Sequence, residues 1–408
     1  MLNAYLSVIR HYWPMLSFGL LTVFFGNFGQ SFFISWYGAS IQQQMGLSAA
    51  AYGSAYASAT LASGLLIFFA GSLIDKLPLR LFVTLAALGL TVAALLMWQI
   101  ESYLSLLAAL FLLRFCGQGL LPHAAMTTMA RYFSDNRGKA SSIASNGVPI
   151  GEMLLPTLAV ALIAWLGWQS SWLVIALVIP VVYLPLAHTL LSNAGVSETD
   201  ARNHNSKAKV SASPDGSRRT VLSDYRFWLA LPLVLAPPFI VTGLFIQQGT
   251  ILLDKGWSSN LFATAFVVYG AIHWASSFVS GALVDRYSAV GLLRFLGIPF
   301  ALAMGLGAIL EGSWVAFLMM AILGIGIGMM GPISNSLWAE VYGVRHIGAI
   351  RALLTSIMIV STSASPFLLG LAIDAGLSGS QLLLSMGSYA FVATLLALFS
   401  YRKTAPNA

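Results

Sequence analysis

The chain has 408 residues, 58% of them hydrophobic and only 8% charged, where a soluble globular protein carries about 25% charged residues. So little charge cannot cover a water-soluble chain of this length, and disorder, a nucleic-acid-binding domain and a small secreted module are excluded with it. The formal balance of 20 basic against 13 acidic residues, net +7, suggests an anionic partner until the basic residues are placed along the chain.

The single cysteine, Cys116, cannot close an intramolecular disulfide and sits in an apolar run, as a small buried packing residue does. The first apolar run, roughly Met15 to Ile41, is longer than the ~7–15 residues of a signal-peptide core, so it is expected to remain as a spanning segment. A bilayer core about 30 Å thick takes ~20 apolar residues per helix, with all backbone groups satisfied inside that helix. About twelve such runs are predicted, near 14–41, 48–72, 80–100, 103–132, 138–166, 169–191, 226–252, 258–284, 289–310, 313–340, 347–373 and 379–401.

Lys and Arg in short loops stay on the cytoplasmic side. With the N-terminus inside, the even-to-odd connections hold Lys76, Arg80, Arg131, Arg137, Lys139, Arg286, Arg294, Arg345 and Arg351, and the termini add Arg10, Arg402 and Lys403. The opposite side has Glu101, Asp254, Lys255, Glu311 and Asp374, so one of the 20 basic residues is outside. Both termini are expected in the cytoplasm and the protein in the cell's inner membrane; the +7 is mostly an orientation signal.

The stretch Ser192 to Asp224 is the one long polar segment and contains 9 of the 33 charged residues. It cannot bury a core and is expected to be a flexible cytoplasmic linker. The expected division is a six-helix bundle over 1–191, a linker over 192–225 and a second six-helix bundle over 226–408. An offset of 210 residues aligns Gly71, Leu73, Asp75 and Lys76 with Gly281, Leu283, Asp285 and Arg286. It also aligns Tyr132, Gly138 and Pro156 with Tyr342, Gly348 and Pro366. Seven matches at one offset indicate a duplication. The expected fold class is all-α, a polytopic membrane protein with two pseudo-symmetric bundles.

GSLIDK (Gly71 to Lys76) resembles the G-x-L-x-D-[RK] signature of the major facilitator superfamily, and GALVDR (Gly281 to Arg286) resembles its second copy. Pro78 stands where that family often has a second glycine. The resemblance implies a gating part for Gly71, Asp75, Lys76, Gly281, Asp285, Arg286, Arg131 and Arg137, with Asp75 bonding the free N–H groups of a neighbouring helix N-terminus. The alternative is a charged helix-end anchor. RFCGQG (Arg114 to Gly119) resembles the family's helix 4 pattern, and Arg131 to Pro156 is similar to the stretch of the monocarboxylate and oxalate/formate porter branch. That branch usually carries a cation in helix 8 or 11; here helix 8 offers His273 and helix 11 has Arg351 near its start. The helix 5 pattern of drug/proton antiporters is half present, with Glu152 after Gly151.

Arg114 falls near mid-bilayer, where an unpaired charge costs at least ~2.5–3.5 kcal/mol. Counted from the loop centre near Ser134, Arg114 lies 20 residues up helix 4 and Glu152 18 up helix 5, so at ~1.5 Å per residue their depths differ by ~3 Å. They can pair, either as a permanent structural bridge or as an exchange in which a substrate anion takes Arg114 and Glu152 takes a proton. His123, nine residues after Arg114, is turned about 180° from it on an ideal helix and is expected to pack between helices. His273 is the one titratable group in the core of the second half, an anion ligand or proton relay, or else a neutral histidine bonded to a neighbouring helix.

Asn27, Gln30 and Ser31 form an i, i+3, i+4 polar stripe on helix 1. Gln118 follows Arg114 by one turn. Gln247 and Asn335 add amides to helices 7 and 10, which by the resemblance line the central cavity with helices 1 and 4. Each amide either fixes a ligand or joins two helices. The glycine run Gly324 to Pro332 has no preceding strand, so it packs or bends a helix and binds no nucleotide.

The substrate-binding set is thus Arg114, Gln118, Asn27, Gln30, Gln247, His273 and Asn335, with Glu152 and His273 for proton coupling. No catalytic, metal or cofactor site is expected. With no G-x-x-x-x-G-K-[ST], energy must come from a gradient. The expected function is secondary active transport of a small organic anion, proton-coupled symport by preference, through one site exposed alternately to each side. Its partners are a small-molecule substrate, protons and the bilayer, with no nucleic acid, and the chain acts as a monomer. Alternatives are export of amphipathic compounds or drugs and, in another class, a transport-inactive membrane sensor or enzyme. Against those stand the absence of H-E-x-x-H and of any soluble output domain.

Overall fold

Apolar runs longer than twenty residues satisfy their backbone groups only as helices once water is excluded. The computed structural model describes residues 2–133, 136–194, 215–343 and 347–401, and among these residues there are helices and turns and no strand. Twelve helices are long and apolar enough to cross a membrane. In the first half they are α1 (Arg10–Met45), α2 (Ala49–Asp75), α3 (Leu79–Trp98), α4 (Tyr103–Tyr132), α5 (Arg137–Leu166) and α6 (Trp168–Asn193). In the second they are α7 (Tyr225–Ile246), α8 (Ser259–Tyr287), α9 (Ala289–Ile309), α10 (Trp314–Tyr342), α11 (Ile347–Asp374) and α12 (Gly379–Leu398).

The expected ends fall within four residues of these, except at α7. There the helix breaks at Gln247 (φ −100°, ψ 16°) and resumes as a short helix, Gln248–Lys255. Most of the expected linker, residues 195–214, lies outside the described residues, as do Ser134, Arg345, Arg402 and Lys403. The last part of that segment, Asp215–Ser223, is helical.

The chain divides into two units, Met1–Gly46 with Ser58–Ser211 and Leu47–Ala57 with Ala212–Ala408. The internal repeat is visible in the elements. Helices starting at 49, 79, 103 and 137 are answered 210 residues later at 259, 289, 314 and 347, the third one residue late. The first helix of each half ends on a left-handed glycine, Gly46 at φ 62° and Gly256 at φ 64°, again 210 apart. Only a residue without Cβ turns the chain there at no steric cost.

Exposed tryptophans mark both ends of the helices. Trp13 and Trp228 sit near the starts of α1 and α7, Trp165 at the end of α5 and Trp314 at the start of α10. An indole body with a polar N–H suits the boundary between hydrocarbon and headgroups.

Polar helix ends are closed by side chains from elsewhere in the sequence. Lys255, the one basic residue expected outside, has a side chain only 1% exposed. Its Nζ donates to the carbonyls of Ala308 (3.1 Å) and Leu310 (3.2 Å) and to Glu311 Oε1 (3.0 Å). It thus caps the C-terminal end of α9, where a cation meets the negative end of the helix dipole. Lys255→Met, of similar length, strands those carbonyls and is expected to cost about 3 kcal/mol, since bonds to a charged donor are worth about 1.5–3 kcal/mol each. A melting curve of the purified variant checks this, and an unchanged midpoint refutes the capping role.

At the opposite end of the second unit, Asp224 accepts from Arg226 (Nε 3.0 Å, Nη2 3.3 Å) and from the Tyr342 hydroxyl (3.1 Å). The Tyr342 hydroxyl lies 2.6 Å from that of Tyr401. Burial alone would raise the Asp224 carboxyl, but the bonds from Arg226 and Tyr342 outweigh it and hold the group below the usual carboxylate range. The cluster ties the entry into α7 to the end of α10 and to the chain beyond α12.

Candidate functional site

The first helix is interrupted where its polar stripe begins. Asn27–Gly29 forms a single 3₁₀ turn, Gln30 is extended (φ −82°, ψ 151°), and a new helical stretch starts at Ser31. The Gln30 carbonyl accepts from the N–H groups of Phe33 and Ile34, both at 3.1 Å, so the second stretch is nucleated at the break itself. Facing this turn, α4 widens into a π-helical segment over Leu113–Leu120. Such segments are rare and cluster at functional sites. Two irregular backbones meet here because neither carries a side chain at the contact. A Cβ on Gly29 would lie 2.0 Å from the Leu113 carbonyl oxygen and 2.9 Å from the Gly117 Cα.

Arg114 issues from the π segment and is 2% exposed. Its Nε donates to Thr60 Oγ1 and its Nη1 to the Gly29 carbonyl, both at 3.1 Å. A guanidinium withdrawn from water is tolerable where several fixed acceptors replace the lost hydration. At the other end of the same turn, Asn27 is wholly buried and its Nδ2 donates to the Gly147 carbonyl of α5 at 2.8 Å. A Cβ on Gly151 would overlap that amide at 2.0 Å. The residue after it is Glu152, 4% exposed. Arg114 from α4 and Gly151 from α5, the residue before Glu152, therefore border one three-residue turn of α1. Gln118, half-buried, lies in the π segment, with its backbone N–H against Gly29. Thr60 was not singled out in the sequence; it is one of several hydroxyls in α2, and none of them signals its partner.

The first signature loop ends α2 as a 3₁₀ turn, Gly71–Asp75. Two side chains of α4 hold it. His123 Nε2 lies 3.1 Å from the Gly71 carbonyl, while Arg131 bonds the Asp75 carboxylate and reaches the Ile74 carbonyl at 3.5 Å. The Asp75 carboxylate thus meets a guanidinium of its own unit. In the second copy, Asp285 and Arg286 are exposed, and the Arg286 guanidinium lies 5.2 Å from the Tyr287 ring centroid. A carboxylate does the holding there: Glu340 of α10 accepts from the N–H groups of Ala289 (2.8 Å) and Val290 (3.4 Å) at the start of α9. Lys76 and Arg137 are exposed, and Gly281 is half-buried.

The sequence profile of the Major Facilitator Superfamily matches residues 17–366, which include both signature loops and the broken α1. The chain belongs to the major facilitator superfamily. A 66-residue stretch is 39% identical to a Haemophilus influenzae protein described as concerned with metabolite transport, a match over 16% of this chain and 16% of that protein's length. The solved nucleoside transporter NupG superposes with a TM-score of 0.72 at 12% identity, over 96% of this chain and 99% of that one. A bacterial homolog of the human lysosomal transporter Spinster, in an inward-facing and occupied conformation, gives 0.70 at 14% identity, over 96% and 97%. At such identities the likeness is one of fold. Membership makes this chain an integral membrane protein and a secondary transporter that works by alternating access.

Within this superfamily member the remaining predicted residues lie in the second unit. Gln247, 2% exposed, uses its Nε2 on two carbonyls, Pro366 at 2.8 Å and Ala49 at 3.1 Å. It joins α7 to α11 much as Asn27 joins α1 to α5. His273 is half-buried in α8, its ring 6.1 Å from that of Tyr269. Asn335 is exposed, and its carbonyl accepts from Arg351 Nη2 at 3.1 Å. The π segment also removes the basis for phasing His123 against Arg114, because its residues advance by less than the 100° of an α-helix.

Proposed function

We propose that this transporter carries a small organic anion, with Arg114 as the cationic ligand and Glu152 as the proton carrier. A kinship with the monocarboxylate and oxalate/formate porter branch is part of the same reading. The observation that supports it most is that a buried guanidinium lies on the 3₁₀ turn of α1 while a second buried charge, Glu152, follows directly after the α5 glycine packed on the same turn. A full charge is kept there at a cost that packing alone does not justify. The π segment and the 3₁₀ turn supply the backbone irregularity on which membrane transporters build solute sites.

The coupling follows from electrostatics. An incoming carboxylate takes the Arg114 guanidinium as its partner, and Glu152 carries the proton that travels with it. Solute anion and proton enter together and leave together. Asn27, Gln30 and Gln118 orient the anion, His273 and Asn335 contribute from the second half, and Gln247 acts mainly by joining helices. The signature residues Gly71, Asp75, Lys76, Arg131 and Arg137, with Gly281, Asp285 and Arg286, serve gating on the cytoplasmic side of the inner membrane, where both termini lie.

The test is a thermal-shift screen of purified protein against carboxylates, amino acids, sugars, nucleosides and cationic drugs, followed by flux of the best hit in proteoliposomes. Hits among carboxylates are expected; hits confined to cationic or amphipathic compounds overturn the anion assignment. Glu152→Gln is expected to abolish accumulation driven by a pH gradient, bringing the internal-to-external ratio to about one, while counterflow exchange continues. Undiminished proton-driven accumulation removes Glu152 from the coupling.

A further inference from the structure

One hydrogen-bond acceptor is left over on the broken turn of α1. Asn27 is wholly buried, and its Nδ2 donates to the Gly147 carbonyl at 2.8 Å, which fixes which end of the amide is the oxygen. That oxygen, Oδ1, is buried as well and takes no hydrogen bond from any described residue. Unpaired buried acceptors are few in folded proteins, and in the hydrocarbon region no water is at hand to satisfy them. Joining α1 to α5 needs only a donor. The carbonyl group that comes with the amide adds a desolvation cost, and the bond to Gly147 does nothing to relieve it.

Two buried amide oxygens are in this condition among the described residues, Asn27 Oδ1 and Gln248 Oε1. Asn27 is set apart by what shares its turn. The Gly29 carbonyl, at the other end of Asn27–Gly29, accepts from Arg114 Nη1 at 3.1 Å. A 3₁₀ turn rises about 2.0 Å per residue, so the two ends are about 4 Å apart along its axis. A buried cation and an unspent acceptor therefore border one short stretch of backbone, and both belong to the first unit. The two groups ask for opposite chemistry: a guanidinium binds an anion, whereas an amide oxygen repels one and binds only a donor. The amide has no room to swing, because α5 lies against it at Gly151, where a Cβ would overlap Nδ2 at 2.0 Å.

We infer that the carried anion has a hydrogen-bond donor, a hydroxyl or an ammonium group, close to its carboxylate, and that Asn27 Oδ1 receives it. The inference rests on the assignment of Arg114 to a solute carboxylate and adds which carboxylates are meant: hydroxy or amino acids in preference to plain ones. The solute spans the turn, its carboxylate on Arg114 and its donor on Asn27. Asn27 thus has two tasks, Nδ2 joining the helices and Oδ1 selecting the solute.

The test uses the full-length protein in proteoliposomes. Uptake and counterflow are measured for propanoate, hexanoate and butanedioate, each beside its hydroxy, amino and methoxy derivative on the carbon next to a carboxylate. The hydroxy or the amino acid is expected to be carried about tenfold more efficiently than the plain acid, as one hydrogen bond provides. The methoxy acid has an oxygen but no proton to donate and should do no better than the plain one. Whichever of the hydroxy and amino acids is carried better names the donor. In Asn27→Ala and Asn27→Leu the preference is expected to fall to about one, a ratio that does not depend on how much of the protein is folded. Equal transport of plain and donor-bearing acids by the parent protein overturns the inference and leaves the Arg114 assignment standing. A preference that persists in either variant also overturns it. If no acid of the panel is carried, the anion assignment itself fails and this inference with it. Where neither variant transports, the panel on the parent protein decides.

Discussion

Arg114→Ala is expected to lower solute flux at least 100-fold while the protein still inserts and purifies as a single species. The side chain donates to the Gly29 carbonyl and to Thr60 Oγ1, and a charge-assisted bond of this kind is worth about 1.5–3 kcal/mol. Losing a comparable interaction with a bound anion costs roughly one to two powers of ten per bond. Stability should change less than flux. The stranded Gly29 and Thr60 oxygens are unfavourable, but the desolvation penalty of a buried guanidinium disappears with it. Arg114→Lys separates charge from shape. An ammonium keeps the charge but lacks the planar fork that reaches two acceptors at once, so partial flux at best is expected. Counterflow with the carboxylate found by screening, alongside a melting curve, measures both. Parental flux in a folded Arg114→Ala protein removes Arg114 from the solute site and leaves it as a brace for the α1 turn.

Gly29→Ala should have the larger effect on folding. The added methyl would sit 2.0 Å from the Leu113 carbonyl oxygen, 2.6 Å from the Gln118 nitrogen and 2.9 Å from the Gly117 Cα. All three are backbone atoms, so no rotamer change relieves the overlap, and α1 and α4 must separate. Overpacking that side chains can absorb costs about 1–3 kcal/mol. An overlap with backbone should exceed that range and abolish a monodisperse size-exclusion peak. Gly305→Ala is the control, since a Cβ there meets nothing within 4 Å. If the two variants melt alike, the close approach of α1 and α4 is wrong, and with it the placement of Arg114 against the turn.

Most of the architecture could be read from hydropathy and punctuation. Transfer of apolar side chains out of water fixes which stretches become helices, and twelve were identifiable with most ends within four residues. The repeat was equally legible, because the glycines, prolines and aspartates that mark it are needed for backbone geometry at corresponding places in both halves. Arg114 and Glu152 stood out because charge in an apolar run is costly. That Arg114 and the Gly151 backbone meet at one turn of α1 did not. The depth estimate assumed straight α-helices at 1.5 Å per residue, and α4 has a π segment where α1 has a 3₁₀ turn. Hydropathy is blind to such changes, since they alter which carbonyl each N–H meets and leave composition untouched.

The capping residues show the same limit from another side. Lys255 and Asp374 read as charges outside the apolar runs, and the sequence sorted them by side of the membrane. The structure spends Lys255 on the end of α9 and Asp374 on the start of α2, the latter across 325 residues. Local rules predict a cap only from neighbours such as Ser48.

By itself, then, the sequence determined the class, the twelve spans, the duplication and the family, because each depends on side-chain transfer energies and local backbone preferences that act over a turn or two. The tertiary structure alone decided that α1 breaks at Asn27–Gly29, that Arg114 is held by Thr60 and the Gly29 carbonyl, and that Asp374 closes the start of α2. Those are hydrogen bonds between groups far apart in the chain, and no local property of either partner specifies the other.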